Sequence, residues 1–501
     1  MSYKPFPKQE SAIDKMVKFL NSKTAKKGIF VYPTSFGKSV VIANVAQKFP
    51  EKYFINIVPK KELLAQNYEK YTSYGFEASI CSASFGSDEV SKVTFSTVGT
   101  LKKHLNFFKD KDVVILIDEC HVGSLRGSQL DKFQKGIKRC KLVGTSATPL
   151  RLKSSMGGSE LRMMNRMRDC LYSSIEDVVQ IKDMVDEGKW SKLIYEVEDV
   201  DESFLQLNTT GTDFTVSSLK RFSEANGLID KCVAATKRLR EEGRNSTLVY
   251  LSSIDEAEEM ARKLDFCEAL HSKLNKKDRD RIVKDFREGR LKTIANIGVL
   301  IEGFDYPLLS SIIHARPTNS ITIWYQSLGR GVRVHINKKD CKIVDISGNF
   351  NKFGKIEDIT FENHDWCGGW AAFSGDRLLT NYPLNSKIVP TKQSLQEAYE
   401  RKQRKEDPLN PVFNFGQFKN KHLMDLLKDK TFDYKSKMTV GARVKNYIHW
   451  IVEEDKKGTF TFYGAAGELL KKAIYQYLKL PIPQQSKEVI KTKSNYFKIP
   501  V

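Results

Sequence analysis

A ten-residue stretch at positions 31–40, Val-Tyr-Pro-Thr-Ser-Phe-Gly-Lys-Ser-Val, has residue types that could hold a triphosphate. An apolar run at 28–32 predicts a buried strand before it, and apolar residues with helical spacing follow it. In a strand–turn–helix of this kind, loop amides and the helix N-terminus face phosphate oxygens. The Lys38 ammonium can reach the β- and γ-phosphates, and the Ser39 hydroxyl can hold Mg²⁺. We therefore expect ATP and Mg²⁺ here, contacted by Pro33, Thr34, Ser35, Phe36, Gly37, Lys38 and Ser39.

One position departs from the strict G-x-x-x-x-G-K-[ST] pattern, because Tyr32 stands where the first Gly is expected. The alternative is a turn that contains Gly-Lys-Ser without binding a nucleotide. The residues downstream decide between the two interpretations.

A pair of carboxylates follows another apolar run. Five apolar residues at 113–117 predict a central strand, and Asp118 and Glu119 come directly after it. Mg²⁺ on a nucleotide needs a carboxylate ligand, and hydrolysis needs a base that positions the attacking water. Asp118 suits the metal and Glu119 suits the water. The alternative, an acidic turn exposed to solvent, is less favoured because a candidate nucleotide loop lies upstream.

A third strand end carries small hydroxyl residues, in the sequence Gly144-Thr-Ser-Ala-Thr-Pro149. Hydroxyl groups at this place can link the carboxylate turn to another domain by hydrogen bonds. The tripeptide Ser-Ala-Thr is a weak signal by itself because it is common. With the histidine that follows the carboxylates, the residues expected to couple domains are His121, Ser146 and Thr148.

These clusters need a common scaffold. Residues 9–20 have the apolar spacing of a helix, and longer amphipathic segments separate short apolar runs at 53–58, 92–96, 113–117 and 141–144. Strands separated by helical segments predict a parallel sheet with both faces covered. Ligands bind such sheets at the carboxyl ends of the strands, where each polar cluster falls. A second alternating pattern begins near residue 225.

Gly-Lys-Ser, Asp-Glu-Cys-His and Ser-Ala-Thr, in this order and spacing, resemble the first RecA-like motor domain of superfamily 2 helicases and translocases. The family loop usually reads Pro-Thr-Gly-x-Gly-Lys, and Ser35 replaces its first Gly here, which narrows the conformations open to the loop. The resemblance implies that Gln9 reads the adenine base, although the Arg usual three residues earlier is Phe6 here. It also implies that the tracked nucleic-acid strand contacts the elements at 58–66 and 93–100. Within those elements the implied contacts are Pro59, Lys60, Ser96 and Thr97.

The second half of the chain resembles the other motor domain. The stretch at 292–307 is similar to the family's fifth motif through Gly303 and Asp305, which implies nucleotide contacts. Ser252, after the strand predicted at 246–251, is expected to contact nucleic acid.

The Gln326-x-x-Gly-Arg-x-x-Arg333 stretch matches the family's last motif in full. Phosphoryl transfer needs positive charge at the γ-phosphate, and a second domain supplies it only when the cleft closes. Arg330 and Arg333 are one helical turn apart, so we expect both at the γ-phosphate. Gln326 joins them as a catalytic candidate.

The composition points to a polyanionic partner and no membrane. The 501-residue chain has a net charge of +21 and a pI near 9.3. No apolar run approaches the roughly 20 residues that span a bilayer, and the N-terminus lacks a signal-peptide pattern. Eight scattered cysteines without a C-x-x-C pair favour reduced thiols in the cytoplasm.

The C-terminal part is basic, with 24 Lys and Arg against 13 Asp and Glu over 366–501. Aromatic residues alternate with lysines at 413–421, and a second aromatic stretch follows at 446–450. Such residues can stack on bases while lysines hold phosphates, or they can form the core of a small domain. The two stretches are similar to the C-terminal module of some exonuclease-X-like proteins.

We therefore predict an α/β protein with two tandem RecA-like domains on parallel sheets and a small basic α+β C-terminal module. The expected boundaries are 1–200 for motor domain 1, 201–225 for a linker, 226–365 for motor domain 2 and 366–501 for the accessory region. The layout resembles phage UvsW-type branched-DNA helicases, with a T5-like phage as the specific suggestion.

That resemblance implies an ATP-dependent helicase, expected as a monomer, that unwinds and branch-migrates forked or Holliday-type DNA. Its roles would be in recombination, repair and replication, in the cytoplasm of a phage-infected bacterium. Single-stranded DNA is a further partner and RNA a less favoured one. The alternatives are an RNA helicase, a double-strand DNA translocase without unwinding, and a nucleic-acid clamp gated by ATP.

Overall fold

The computed structural model describes residues 4–24, 26–58, 61–155, 158–300, 304–383, 386, 388–406 and 410–482. The chain forms two compact units. The larger unit comprises the residues up to 364 together with 369–390, and the smaller unit comprises 365–368 and the residues from 391 onward. Within the described ranges, none of the helices combines the length and hydrophobicity needed to cross a membrane.

The first part of the larger unit is a parallel α/β layer. Its strands are β1 (Lys27–Val31), β2 (Tyr53–Ile57), β3 (Ser79–Ser82), β4 (Ser87–Asp88), β5 (Val93–Ser96), β6 (Asp112–Ile117), β7 (Arg139–Ser146), β8 (Leu150–Ser155), β9 (Gly158–Met163) and β10 (Ile175–Val178). Its helices are α1 (Pro7–Asn21), α2 (Lys38–Gln47), α3 (Lys61–Ser73), α4 (Val98–Leu101), α5 (Leu105–Phe108), α6 (Gln129–Lys135) and α7 (Ile181–Asp186).

The first sheet has the strand order β10-β1-β7-β6-β2-β5-β3-β4. The pairs are parallel except for the edge pair β3–β4, and β8 and β9 form a separate antiparallel hairpin. The central strand β6 is apolar and buried on both faces from Val113 to Ile117, as a covered parallel sheet requires. The expected parallel sheet is therefore confirmed.

Strand register brings the polar clusters together. Val31, at the end of β1, lies opposite Ser146 of β7, and Ile117, at the end of β6, lies opposite Gly144 of the same strand. The residues that follow β1 and β6 therefore emerge on either side of Ser146 at one edge of the sheet.

The second sheet has the order β11-β16-β15-β12-β14-β13, and its pairs are parallel. Its strands are β11 (Lys192–Val197), β12 (Thr247–Tyr250), β13 (Cys267–Leu270), β14 (Thr293–Asn296), β15 (Ser311–His314) and β16 (Asp340–Asp345). The helices of this part are α8 (Val216–Ala225), α9 (Leu228–Glu241), α10 (Ile254–Lys263), α11 (Lys276–Arg287), α12 (Ile321–Leu328) and α13 (Asn349–Phe353).

The expected boundary at residue 200 is wrong by one strand. β11 pairs with β16, so the second sheet already begins at Lys192. The segment 201–225 is also more than a linker, because α8 lies within it and Phe222 packs into the core of the second sheet. Sequence composition could not reveal this, since β11 joins its sheet through a partner nearly 150 residues away in the chain.

The larger unit also extends beyond the expected boundary at 365. β17 (Ile359–His364), β18 (Gly369–Ser374) and β19 (Arg377–Leu378) form an antiparallel sheet within it. Buried apolar residues from both parallel sheets and from β17 and β18 belong to one connected core cluster. The larger unit therefore has a continuous core.

The smaller unit contains α14 (Lys392–Glu406), α15 (Leu423–Lys428), β20 (Phe432–Asp433), β21 (Met438–Thr439), α16 (Val440–Lys456) and α17 (Gly464–Tyr477). It has its own hydrophobic core, in which Phe413 and Phe418 are buried. For Phe413 and Phe418 the structure therefore favours packing in the core over stacking on bases. Trp450, by contrast, is 42% exposed.

We expect Gly144→Ala to lower the free energy of unfolding by about 1–3 kcal/mol, because it overpacks a filled site. A Cβ at this position would lie 2.7 Å from the Tyr172 ring and 2.8 Å from the Cys120 sulfur, and both side chains are buried. Urea unfolding followed by circular dichroism measures the change. Gly99→Ala is the control, since a Cβ there meets nothing within 4 Å. Equal midpoints for the two variants would contradict the packing argument.

Candidate nucleotide site

The loop between β1 and α2 has two residues in the left-handed region. Gly37 has φ +85°, and a Cβ there would lie 2.4 Å from the Gln9 amide nitrogen, so both backbone and space require glycine. Ser35 has φ +61°, a conformation that costs a non-glycine residue about 1–2 kcal/mol. The loop thus takes the conformation that the missing glycine would favour, at the expense of strain at Ser35.

Aromatic packing accounts for the other departures from the expected motif. Tyr32 is fully buried, and its ring centroid lies 4.8 Å from that of Phe36. Phe6 stands edge-on to Phe36 at 5.7 Å. Tyr32 and Phe6 therefore pack against the loop through Phe36, and both substitutions belong to one aromatic cluster.

Gln9 lies behind the loop. It is fully buried, its side-chain oxygen accepts from the Phe6 amide at 3.2 Å, and its side-chain nitrogen donates to the Phe36 carbonyl at 2.7 Å. Both ends of the amide are thus engaged by the protein. The expected direct contact of Gln9 with adenine does not fit this arrangement, in which Gln9 supports the loop.

Lys38 is the first residue of α2, and its ammonium faces the two carboxylates after β6. Lys38 Nζ lies 3.4 Å from Glu119 Oε1 and 3.9 Å from Asp118 Oδ1. Burial disfavours the ammonium, but the Glu119 and Asp118 carboxylates outweigh it, so the pKa of Lys38 is raised. Lys38, Ser39 and Asp118 line one small pocket, which is where a Mg²⁺ held by Ser39 and Asp118 would have to lie.

Two side chains that the sequence did not single out hold Asp118 in place. Asn67 of α3 donates to Asp118 Oδ2 at 3.3 Å, and the Thr145 hydroxyl donates to Oδ1 at 3.0 Å. The Glu119 amide also donates to Oδ1 at 3.1 Å. Three donors from three segments thus fix this carboxylate. The one available sequence signal was that Asn67 directly follows the motif ending at Gln66.

Hydrogen bonds join the carboxylate turn to the Ser-Ala-Thr stretch within the first half of the larger unit, and the expected coupling to another domain stays a prediction. His121 Nδ1 lies 3.0 Å from the Ser146 hydroxyl, which also accepts from the Thr148 amide at 3.1 Å. His121 and Gln326 line the same cleft between the two sheets. Ser146 and Thr148 are buried beneath it, so His121 is the member of the three that faces the second sheet.

The two motif arginines lie beyond α12 and not on a shared helical face. α12 ends at Leu328 and is capped by Gly329, so Arg330 and Arg333 occupy the turns that follow. Arg330 is 8% exposed and donates to the Phe304 carbonyl at 3.0 Å. The prediction of a common helix was wrong, because after Leu328 the chain forms tighter turns in which the Arg330 amide donates to the Ser327 carbonyl and the Gly331 amide to the Leu328 carbonyl.

Electrostatics at these arginines favour an anion. Arg330 is near enough to Lys38 to oppose the rise in the lysine pKa. Burial lowers the pKa of Arg333 to about 10, the Arg330 charge adds to this shift, and the ion pair with Asp305 opposes it. Among the described residues, Arg333 Nη1 has no hydrogen-bond acceptor although it is buried. Asp305, which the resemblance implied as a nucleotide contact, forms an ion pair with Arg333 in this structure.

A contact that the sequence did not reveal joins the loop to the second sheet. The Thr34 amide donates to the Tyr325 hydroxyl at 3.3 Å, and the Trp190 indole donates to the Thr34 carbonyl at 2.9 Å. A Cβ at Gly329 would lie 2.8 Å from the Thr34 hydroxyl. Tyr325 and Trp190 thus hold the Thr34 backbone through both its amide and its carbonyl. Tyr325 precedes Gln326 directly, but Trp190 lies outside every motif.

The residues expected to contact nucleic acid differ in how far they are buried. Ser96 is fully buried and donates to the Cys81 carbonyl at 2.6 Å, so its predicted direct contact does not fit the structure. Thr97 and Ser252 are half-buried at strand ends. Pro59, Lys60 and the nucleotide candidate Gly303 lie outside the described residues.

The donor set as a whole fits a nucleoside triphosphate with Mg²⁺. Lys38, Arg330 and Arg333 bring three buried or half-buried positive charges to the cleft, and Arg333 Nη1 has the unmet donor noted above. Asp118 and Ser39 offer the oxygen ligands that Mg²⁺ prefers.

Comparison with known proteins places the chain in a family. Residues 2–151 match the type III restriction enzyme res subunit family, and residues 229–335 match the helicase conserved C-terminal domain. The chain belongs to helicase superfamily 2. Its two parallel sheets are the two RecA-like domains of that superfamily, as expected. Family membership implies ATP use.

Relatives of this superfamily 2 helicase include IRC3 of Saccharomyces cerevisiae, named as an ATP-dependent helicase. The two are 26% identical over 366 residues, which cover 68% of this chain and 51% of IRC3. A 51.5 kDa protein of a Lactococcus phage is 24% identical over 356 residues, covering 68% of this chain and 69% of the phage protein. The match thus spans about half the length of the yeast relative.

Two solved structures share the fold of this superfamily 2 helicase. A fragment of an HsdR subunit of a type I restriction enzyme from Vibrio vulnificus aligns with a TM-score of 0.52 at 18% identity, over 69% of this chain and 65% of the fragment. The type ISP restriction-modification enzyme LlaBIII bound to DNA aligns with a TM-score of 0.50 at 15% identity, over 69% of this chain and 28% of LlaBIII.

We expect Glu119→Gln to reduce ATP hydrolysis by about 10²–10⁴-fold while ATP still binds, because the amide keeps the shape but cannot act as the base. Lys38→Ala should abolish both ATP hydrolysis and ATP binding, since it removes the cation paired with Glu119. Phosphate release and binding of a fluorescent ATP analogue measure the two effects. Glu69→Gln, on the exposed side of α3, is the control. Wild-type hydrolysis in either site variant would contradict the assignment.

We expect Tyr325→Phe to raise KM for ATP by roughly tenfold, with a smaller effect on kcat. The substitution leaves the buried Thr34 amide without its acceptor, which costs about 1–3 kcal/mol. Steady-state hydrolysis measures both constants. Tyr475→Phe is the matched control, because it removes a buried tyrosine hydroxyl in the smaller unit. An unchanged KM in Tyr325→Phe would show that this contact does not position the loop.

Proposed function

We propose that the chain is an ATP-dependent DNA helicase that unwinds and branch-migrates forked or four-way DNA, of the phage UvsW type. The single observation that carries the motor part is the arrangement of buried charge. Lys38 and the carboxylates stand on the first sheet, and Arg330, on the second, acts electrostatically on Lys38. Hydrolysis that depends on two domains is the property a motor needs.

Each candidate residue has a role in this proposal. The loop from Pro33 to Ser39 holds the phosphates, and Ser39 and Asp118 hold Mg²⁺, which would neutralise developing phosphate charge. Glu119 positions and deprotonates the attacking water. Arg330 and Arg333 stabilise charge on the γ-phosphate, and Gln326 lies beside them on α12.

Movement follows from the contacts between the sheets. Tyr325 bonds the Thr34 amide and Trp190 bonds the Thr34 carbonyl, so a change in the loop on hydrolysis alters the contact with the second sheet. If each domain also binds the nucleic-acid backbone, then closing and opening of the cleft move one contact past the other. Phosphate contacts suffice for this, and no base-specific residue is required.

DNA is favoured over RNA as the substrate. The family matched by residues 2–151 takes its name from restriction enzymes. The RNA helicases among the relatives match shorter parts, such as 24% of this chain for Dbp5 of Debaryomyces hansenii. Similarity to a phage protein supports action in the cytoplasm of an infected bacterium. Unwinding, branch migration and action as a monomer in recombination, repair and replication are parts of the same proposal.

The test is ATP hydrolysis by the full chain with single-stranded DNA, duplex DNA, a fork, a four-way junction and single-stranded RNA. We expect the fork or the junction to stimulate hydrolysis most, followed by strand displacement on a labelled fork. Lys38→Ala controls for contaminating ATPases.

The other outcomes separate the alternatives. Strongest stimulation by RNA would overturn the DNA proposal, and stimulation by duplex DNA without displacement would indicate a translocase. Nucleotide-dependent binding without displacement or movement would indicate a clamp. No stimulation by any of the nucleic acids would overturn the motor itself.

A further inference from the structure

The smaller unit presents a basic face with exposed aromatic side chains. We call it the hairpin–helix face, formed by the hairpin of β20 and β21 and by the outward side of α16 up to Trp450. Over 430–450 the chain has five Lys and Arg and one Asp. The single acid, Asp433, already forms an ion pair with Arg443. Lys435 and Lys437 of the hairpin therefore give this face an excess of positive charge.

Three large aromatic residues on this face are exposed to solvent. The exposed fraction is 86% for Tyr434, 49% for Phe432 and 42% for Trp450. None of the three belongs to the core cluster of the smaller unit, whose buried members include Phe413, Phe418 and Tyr447. Such exposure gains nothing for folding, because these rings remain largely in water.

Local contacts make the hairpin and helix a continuous surface. The Arg443 side chain of α16 binds Asp433 of β20 and lies over the buried Phe418 ring at 5.2 Å. One turn along the helix, the Asn446 amide reaches the Met438 sulfur of β21 at 3.7 Å. Trp450 is one further turn along and packs on Tyr447. The hairpin is therefore fixed against the same side of α16 that carries Trp450.

The lysines stand beside these rings. Lys435 and Lys437 both lie in the hairpin turn that begins with Tyr434, and all three residues are exposed. Exposed rings that alternate with ammonium groups are the features that bind a single strand, since bases stack on rings while lysines contact phosphates. A duplex keeps its bases stacked and cannot use the rings in this way.

We propose that the hairpin–helix face is a second binding site for single-stranded nucleic acid. Bases stack on Tyr434 and Trp450, and Lys435 and Lys437 contact the phosphates. Binding is independent of sequence, because every base offers a face for stacking. The site extends the proposed function by giving the helicase a contact with an unwound strand outside its two motor domains.

The test uses the full chain without nucleotide and a labelled 20-nucleotide single strand, in DNA and RNA forms, with fluorescence anisotropy as the readout. We expect Tyr434→Ala combined with Trp450→Ala to weaken binding by roughly tenfold or more, from about 1–3 kcal/mol for each stacked base. Tyr463→Ala is the matched control, because this ring is 78% exposed in the same unit. Equal affinity for the double variant and wild type would overturn the proposal.

Salt dependence tests the lysines separately. Lys435→Gln with Lys437→Gln should lower the slope of log affinity against log salt by about 1.4, at about 0.7 for each phosphate contact with a single strand. Lys456→Gln with Lys457→Gln, at the far end of α16, should leave the slope unchanged. An unchanged slope for the first pair would contradict the phosphate contacts.

Crosslinking locates the strand. With 5-iodouracil in the oligonucleotide, irradiation should attach it to peptides that contain Tyr434 or Trp450, and blunt duplex should compete poorly. Attachment only to the larger unit, or equal competition by duplex, would overturn the proposal. Tyr434→Ala alone keeps the test valid if Trp450→Ala unfolds the unit, as circular dichroism would show.

This inference and the proposed function can fail separately. Hydrolysis without nucleic acid should be the same in the face variants and in wild type. If forked DNA does not stimulate ATP hydrolysis by the wild-type chain, while single strands still bind the hairpin–helix face, the result would count against the motor proposal alone. Wild-type binding by the face variants together with a normal fork response would count against the second site alone.

Discussion

The structure of the nucleotide site depends on one buried ammonium. Lys38 is largely shielded from water, and an ammonium in such a place is stable only when anions lie close to it. Asp118 and Glu119 supply these anions because β1 and β6 flank β7 in parallel register and end at the same edge of the sheet. Asn67 and Thr145 then fix the carboxylate that a metal would need. The loop, the strand order and the hydrogen bonds to Asp118 thus all hold the Lys38 ammonium beside its two carboxylates.

A second set of charges opposes the first across the cleft. Arg330 is buried and Arg333 half-buried near it, and the Arg330 charge lowers the pKa of Arg333 and opposes the rise in the pKa of Lys38. Like charges held together in a site of low polarity favour the entry of an anion such as a triphosphate. The hydrogen bonds of Tyr325 and Trp190 to the Thr34 backbone connect this half of the site to the loop. Charge and backbone contacts therefore make the site a joint property of both sheets.

The smaller unit follows a different design. Its core is formed by its own aromatic and aliphatic residues, which leaves another group of rings in water beside lysines. The aromatic stretch at 413–421 looked suited to stacking on bases, yet Phe413 and Phe418 are buried. The exposed rings belong to the hairpin and to α16 instead. Sequence shows which residues could stack, but burial decides which of them are available.

The sequence by itself determined the family, the parallel sheets and most members of the nucleotide site. Apolar runs followed by Lys38, Asp118 and Arg330 are local patterns, and the physics of phosphate and metal binding limits which residue types can follow those strands. Tertiary structure decided where Gln9 and Ser96 direct their side chains, since both are buried and bonded inside the fold. It also decided the position of β11 in the second sheet. These features depend on partners distant in the chain, and spacing in sequence carries no information about them.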